Sequence, residues 1–186
     1  MALRHGRQGQ LEAARGRFEA ALHIHRETGN LRGEGEVLGN LGYLNQIEGQ
    51  MDTAESNFQD ALQIHRKTKN RRFEGLVLSN LGSLYATREN WEEAQESFHS
   101  ALHLLREIGD VHFEGYVLGE LGIVEATSGQ IEAGLAHMAQ AEVLTRQVND
   151  QVELGLLFCK RAHAEHLADH PDAAARSMMP DRSQKP

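Results

Sequence analysis

The sequence predicts an all-α fold: a solenoid of stacked antiparallel helical hairpins. Three observations point to it. The segment Glu34 to Gly42 returns at Glu74 to Gly82 and again at Glu114 to Gly122, each time 40 residues on, and a fixed period in this range marks a repeat architecture. Prolines occur only at Pro171, Pro180 and Pro186, so nothing before residue 171 forbids helix. Between turn signals lie segments of about 18 residues whose apolar positions follow helical spacing, such as Val37, Leu38, Leu41 and Leu44, then Ala54, Phe58, Ala61, Leu62 and Ile64.

Each element follows from these signals in order. Turns are expected between units at Gly29-Asn30, Lys69-Asn70, Gly109-Asp110 and Asn149-Asp150, and within units at Gly9-Gln10, Gly49-Gln50, Glu89-Asn90 and Gly129-Gln130. The intervening helices fall at about 11–28, 31–48, 51–68, 71–88, 91–108, 111–128, 131–148 and 151–168, with residues 1–7 as the stump of a preceding helix. Three full repeats at 31–68, 71–108 and 111–148, with partial repeats at both ends, make an array over 1–170. A fourth, decayed copy, Leu154 to Ala162, keeps the register.

The second halves repeat through Ala14, Ala54 and Ala94, then Phe18, Phe58, Phe98 and Met138, then Ala21, Ala61, Ala101 and Ala141. Gly42, Gly82 and Gly122 stand where the first helix of a hairpin lets the second approach closely, with bulky Phe58 and Phe98 filling the gap toward the next hairpin. One hairpin cannot bury its own apolar face, so neighbours must share a core. Residues 171–186 are polar and aperiodic after Met179 and read as a disordered tail. With half-units at both ends and no polar capping helix, self-association through the uncapped ends is a further expectation.

These residues resemble the tetratricopeptide repeat family, whose pattern asks for a large residue, Leu-Gly, an aromatic, and later Ala, aromatic and Ala. The chain answers with Leu78, Leu81-Gly82, Tyr85, Ala94, Phe98 and Ala101. It departs from the pattern at Asn45 and Glu125 in place of the aromatic, at Gly134 in place of Ala, and at Arg66, Arg106 and Arg146 in place of proline. The 40-residue period is similar to the subclass of kinesin light chains, Leu-Gly-Asn adaptor proteins and bacterial signalling arrays.

The resemblance implies a right-handed superhelix whose first helices line a concave face that holds a peptide or protein segment. Asn40 and Asn80 match the family's inner-face asparagine, and an amide offers donor and acceptor together to a ligand backbone. The same reading places Glu36, Tyr43, Leu76, Ser83, Tyr116 and Glu120 on that face, with Gln46, Ile123, Leu156 and His163 beside them. Glu120 and Lys160 interrupt the asparagine ladder after two rungs. The function implied is a protein-interaction scaffold; the alternative is an oligomerisation or regulatory module of a bacterial signalling protein acting through its ends or outer face.

Other chemistry is thinly represented. Net charge is −8, from 19 Lys and Arg against 27 Asp and Glu, which disfavours nucleic acid as a partner. No apolar run approaches the roughly 20 residues of a membrane span, and the lone Cys159 fits a cytoplasmic setting. His163, His166 and His170 share a helix face and could hold a transition metal, but the signal is weak and a solvated histidine-rich helix end is the favoured explanation; His99 and His103 form a second, weaker pair. No metal or other cofactor is expected. The run Arg66, Lys67, Lys69, Arg71 and Arg72 reads as a solvated helix end and turn, and Gly33-Glu34-Gly35 lacks the strand of a nucleotide-binding loop. Cys159 has no recognisable base partner, so a buried or partly buried thiol is expected rather than a nucleophile. No motif marks an enzyme.

Overall fold

A computed structural model describes residues 2–169, with side chains from residue 9 onward; the expected tail at 171–186 and His170 lie outside the described residues. Among these there are eight helices and no strand: α1 (Ala2–Thr28), α2 (Leu31–Ile47), α3 (Met51–Lys67), α4 (Arg71–Thr87), α5 (Trp91–Ile108), α6 (Val111–Thr127), α7 (Ile131–Gln147) and α8 (Gln151–Asp169). They form consecutive hairpins grouped into two compact units, unit 1 up to Leu84 and unit 2 from Tyr85.

The helices stop where the period demands. Seven residues at 20-residue intervals take positive φ: Gly29, Gly49, Lys69, Glu89, Gly109, Gly129 and Asn149. Around each, the next residue's N–H donates to the carbonyl five back, as Gln50 N does to Asn45 O at 2.8 Å, and the turn residue's own N–H donates three back, as Gly49 N does to Gln46 O at 3.0 Å. This paired bond satisfies carbonyls the helix end would leave open. At the next helix start the side chains of Asn30 and Asp110 accept from the backbone N–H three residues on.

One expected turn is missing. Gly9-Gln10 lies inside α1, which runs unbroken from Ala2 to Thr28 instead of leaving a stump at 1–7. A Cβ at Gly9 would meet nothing within 4 Å; with no helix packed there to reward a turn, continued helix satisfies the backbone.

In unit 1, α2 and α3 close over Leu38, Leu41, Ala54, Phe58 and Ala61, all buried. A Cβ at Gly42 would come within 2.6 Å of the Phe58 ring, so that ring packs over Gly42 of its own hairpin rather than serving only the gap to the next. In unit 2 the approach is closer still. A Cβ at Gly122 would lie 2.7 Å from the Gly134 carbonyl oxygen, and one at Gly134 would strike the Gly122 carbonyl and come 2.9 Å from Ala126 N. Glycine in place of alanine at 134 lets α6 and α7 meet backbone to backbone.

The other departures from the family pattern are also accounted for. Where the aromatic is replaced, a buried polar side chain binds a half-buried partner: Arg15 Nη2 donates to Asn45 Oδ1 at 2.7 Å, and Glu125 Oε2 lies 2.6 Å from His137 Nδ1. Where proline is replaced, arginine reaches across the turn to a glutamate eight residues on, as Arg66 Nε does to Glu74 at 3.2 Å and Arg106 Nε to Glu114 at 2.7 Å. Arg26 Nε makes the same bond to Glu34 at 2.8 Å. Position 154 is Leu, and Arg146 binds Glu142 on its own helix instead.

Candidate functional site

The residues expected on the inner face fall on the first helix of each hairpin: α2 and α4 in unit 1, α6 and α8 in unit 2. In unit 1, α2 runs beside α4, since a Cβ at Gly39 would sit 3.7 Å from Val77. The buried stripe of each helix leaves the residue after Gly39 and after Ser79 turned outward, which puts Asn40 and Asn80 at matching positions on adjacent helices. Asn40 is exposed and Asn80 half-buried, and no hydrogen bond to either amide is found among the described residues. Tyr43, one turn on, is 56% exposed. Glu36, Leu76 and Gln46 are half-buried, and the Ser83 hydroxyl donates to Ser79 O at 3.2 Å.

In unit 2 the corresponding positions are Glu120 and Lys160, and they are joined. Lys160 Nζ donates to Glu120 Oε1 at 2.9 Å and to Glu153 Oε1 at 3.4 Å, and lies 5.4 Å above the Tyr116 ring. Two of the inner-face residues expected here, Tyr116 and Glu120, are therefore engaged by one ammonium group, a combined ion pair and cation–π contact. Burial pushes the Glu153 carboxyl up from the ordinary glutamate range, against the opposing pull of Lys160. At the start of the same helix, backbone N–H groups led by that of Glu153, with His112 Nε2 at 3.0 Å, hold Asp150 below the usual carboxylate range. Leu156 and His163 are exposed on α8, and Ile123 is half-buried.

Sequence reasoning missed the Lys160 clasp, although Glu120 and Lys160 one period apart on adjacent first helices carried the signal. The basic run proves to be partly structural: Arg66 and Arg71 both bind the buried Glu74. Among the described residues no group of three His, Cys, Asp or Glu could hold a metal ion. His163 and His166 are exposed; His103 is 3.9 Å from Glu107, and His99 meets His137 edge to face. Cys159 is exposed, contrary to the expectation of a buried or partly buried thiol, because no described helix covers that side of α8. No described helix is long and apolar enough to cross a membrane.

Residues 33–107 match the tetratricopeptide repeat family. Over that stretch the chain carries tetratricopeptide repeats. The fold agrees over nearly all of it. BtubC (BKLC) from P. vanneervenii is similar at a TM-score of 0.70 and 16% identity, covering 97% of this chain and 81% of that one. A kinesin light chain protein of Podosopora anserina with nearly identical TPR-like repeats is similar at 0.67 and 16%, covering 95% and 88%. A singly substituted form of that protein gives 0.69 and 15%, covering 95% and 87%. No curated protein sequence matches. The tetratricopeptide assignment explains the paired small residues Gly42 and Ala54 as the close contact of their hairpin.

Proposed function

We propose that this chain is a non-catalytic protein-interaction scaffold, and that the α2 and α4 face of unit 1 holds an extended peptide segment. The observation that carries the reading is the pair Asn40 and Asn80: two amides at the same register on adjacent helices, both reachable from solvent and neither spent on a hydrogen bond among the described residues. Such amides can accept from and donate to a ligand's peptide groups. Tyr43 adds an exposed ring beside them, with Glu36, Leu76 and Ser83 as flanking contacts. Tyr116 and Glu120 belong to the proposal as a separate patch in unit 2, where a ligand meets the Lys160 cluster instead of open amides. A cytoplasmic location and a bacterial signalling context are part of the same proposal, resting on the single Cys159 and the style of the repeats.

A random linear peptide library panned on the chain provides the test. Selected peptides bind the wild type, and the Asn40→Ala, Asn80→Ala double variant loses about tenfold or more in affinity, since each amide bond is worth roughly 0.5–1.5 kcal/mol. Unchanged affinity in a variant that melts like the wild type sinks the groove. The second reading, a module acting through an end, is favoured by the exposed Val152, Leu156 and Phe158 of α8.

A further inference from the structure

The uncovered side of α8 has a stated counterpart inside the same molecule. In α6 the positions that face α7 are Gly115, Leu118, Gly122, Glu125 and Ala126, all buried. Gly115 lies against Thr145, Gly122 against Gly134 and Met138, and Glu125 binds His137. One period on, α8 presents Gly155, Phe158, Ala162, Glu165 and His166 at the same positions, and all five are exposed. A Cβ at Gly155 would meet nothing within 4 Å.

The complementary half is on α1. Its Ala14, Arg17, Phe18 and Ala21 stand at the register of Gly134, His137, Met138 and Ala141 in α7. Met138 and Ala141 are fully covered, whereas Ala14, Phe18 and Ala21 are only half-buried and Arg17 is exposed. We infer that α8 docks α1 of a second copy of this chain, in the register by which α6 packs on α7.

Charge supports this occupant. Arg17 falls where His137 does, and Glu165 where Glu125 does, so the part-buried pair at 2.6 Å inside unit 2 is replaced by guanidinium facing carboxylate. Within its own chain Glu165 meets Arg161 on the same helix at 2.9 Å, an exposed pair that can yield. The chain's own residues 171–179 are a poorer candidate. Ala174 and Met178 keep the register, but Pro180 and Asp181 replace Gln140 and Ala141, and Ser177 stands where the cation is wanted. Alanine stands at both glycine positions of that contact, Ala162 for Gly122 and Ala14 for Gly134, so the second copy sits farther off than α7 does from α6, which an untethered partner can accommodate. The contact is heterologous, one end's surface against the other's, so it extends beyond a dimer.

Sedimentation equilibrium of the full chain tests the inference. The average mass climbs past two copies with concentration. Arg17→Glu and Glu165→Arg each weaken association by about tenfold or more, and combining both substitutions restores it. Ala162→Gly strengthens it. Circular dichroism keeps folding separate from association. A strict monomer at every concentration overturns the inference, as does a mass that stops at two copies and ignores both charge reversals. Association that appears only after truncation at Asp169 assigns the surface to the chain's own tail and overturns it too. None of these residues lies on the proposed peptide face, so either proposal can fail alone.

Discussion

Units 1 and 2 share one register but spend it differently. On the inner face, unit 1 leaves Asn40 and Asn80 open, while unit 2 locks Glu120 to Lys160. In the hairpins, unit 1 packs a glycine under an aromatic ring, Gly42 against Phe58, while unit 2 brings two backbones together at Gly122 and Gly134. At the last turn of the second helices, unit 1 buries His65, whose two ring nitrogens have no hydrogen-bond partner among the described residues, and unit 2 buries Leu105 and Thr145. The period preserves the helix ends and the depth of contact. It leaves the polar chemistry of each rung free to diverge, and that is where function is to be sought.

The backbone contact is the hardest of these differences to alter. Gly134→Ala drives a methyl into the Gly122 carbonyl, where no side chain can swing aside, and it is expected to cost about 1–3 kcal/mol despite alanine's better helix propensity. Denaturant melts read the loss, and hydrogen exchange should place it in α6 and α7. Gly155→Ala, on the open face of α8, is the matched control and should be neutral or stabilising by up to about 1 kcal/mol.

Lys160→Ala should come next, because it strands two carboxylates. A loss of about 1–2 kcal/mol is expected, of the size seen when a charged hydrogen-bond partner is removed. Part of it should return in acid. Glu153 titrates above its ordinary range in the fold, so its protonated form is the one folding favours; its burden is absent below the unfolded value and grows as pH rises through the folded one.

His65→Leu makes unit 1 resemble unit 2 at Leu105 and removes two orphaned nitrogens, for a gain of about 1 kcal/mol. Burial holds the His65 imidazole below its ordinary value of 6.5. The folded state therefore binds fewer protons than the unfolded one, and wild-type stability falls as pH drops below 6.5. Thermal melts across this range should show a shallower fall in the variant. The smallest effect belongs to the turns. Lys69→Gly and Glu89→Gly relieve non-glycine residues at φ 54 and 60, for roughly 0.5–1 kcal/mol each.

Most of the fold was legible because the 40-residue period fixes turns, helices and small-residue contacts together, and apart from the start of α1 the helix limits agree within a residue or two. The missing turn at Gly9-Gln10 shows the limit of a local signal: glycine ends a helix only where a following helix packs back. The Arg–Glu clasps could have been read from the recurring spacing of Arg26 and Glu34, Arg66 and Glu74, Arg106 and Glu114. Glu125 with His137 could not, because that pair occurs once and depends on the depth to which α7 sits. Asn40 and Asn80 stood out in sequence, but only packing separates an idle amide from one used internally.

The measurement that bears most directly on this division is the side-chain amide resonances of Asn40 and Asn80 during titration with a panned peptide. Both pairs of resonances are expected to shift and to saturate together with binding. Saturable binding that leaves both amides unmoved would contradict the open-amide groove.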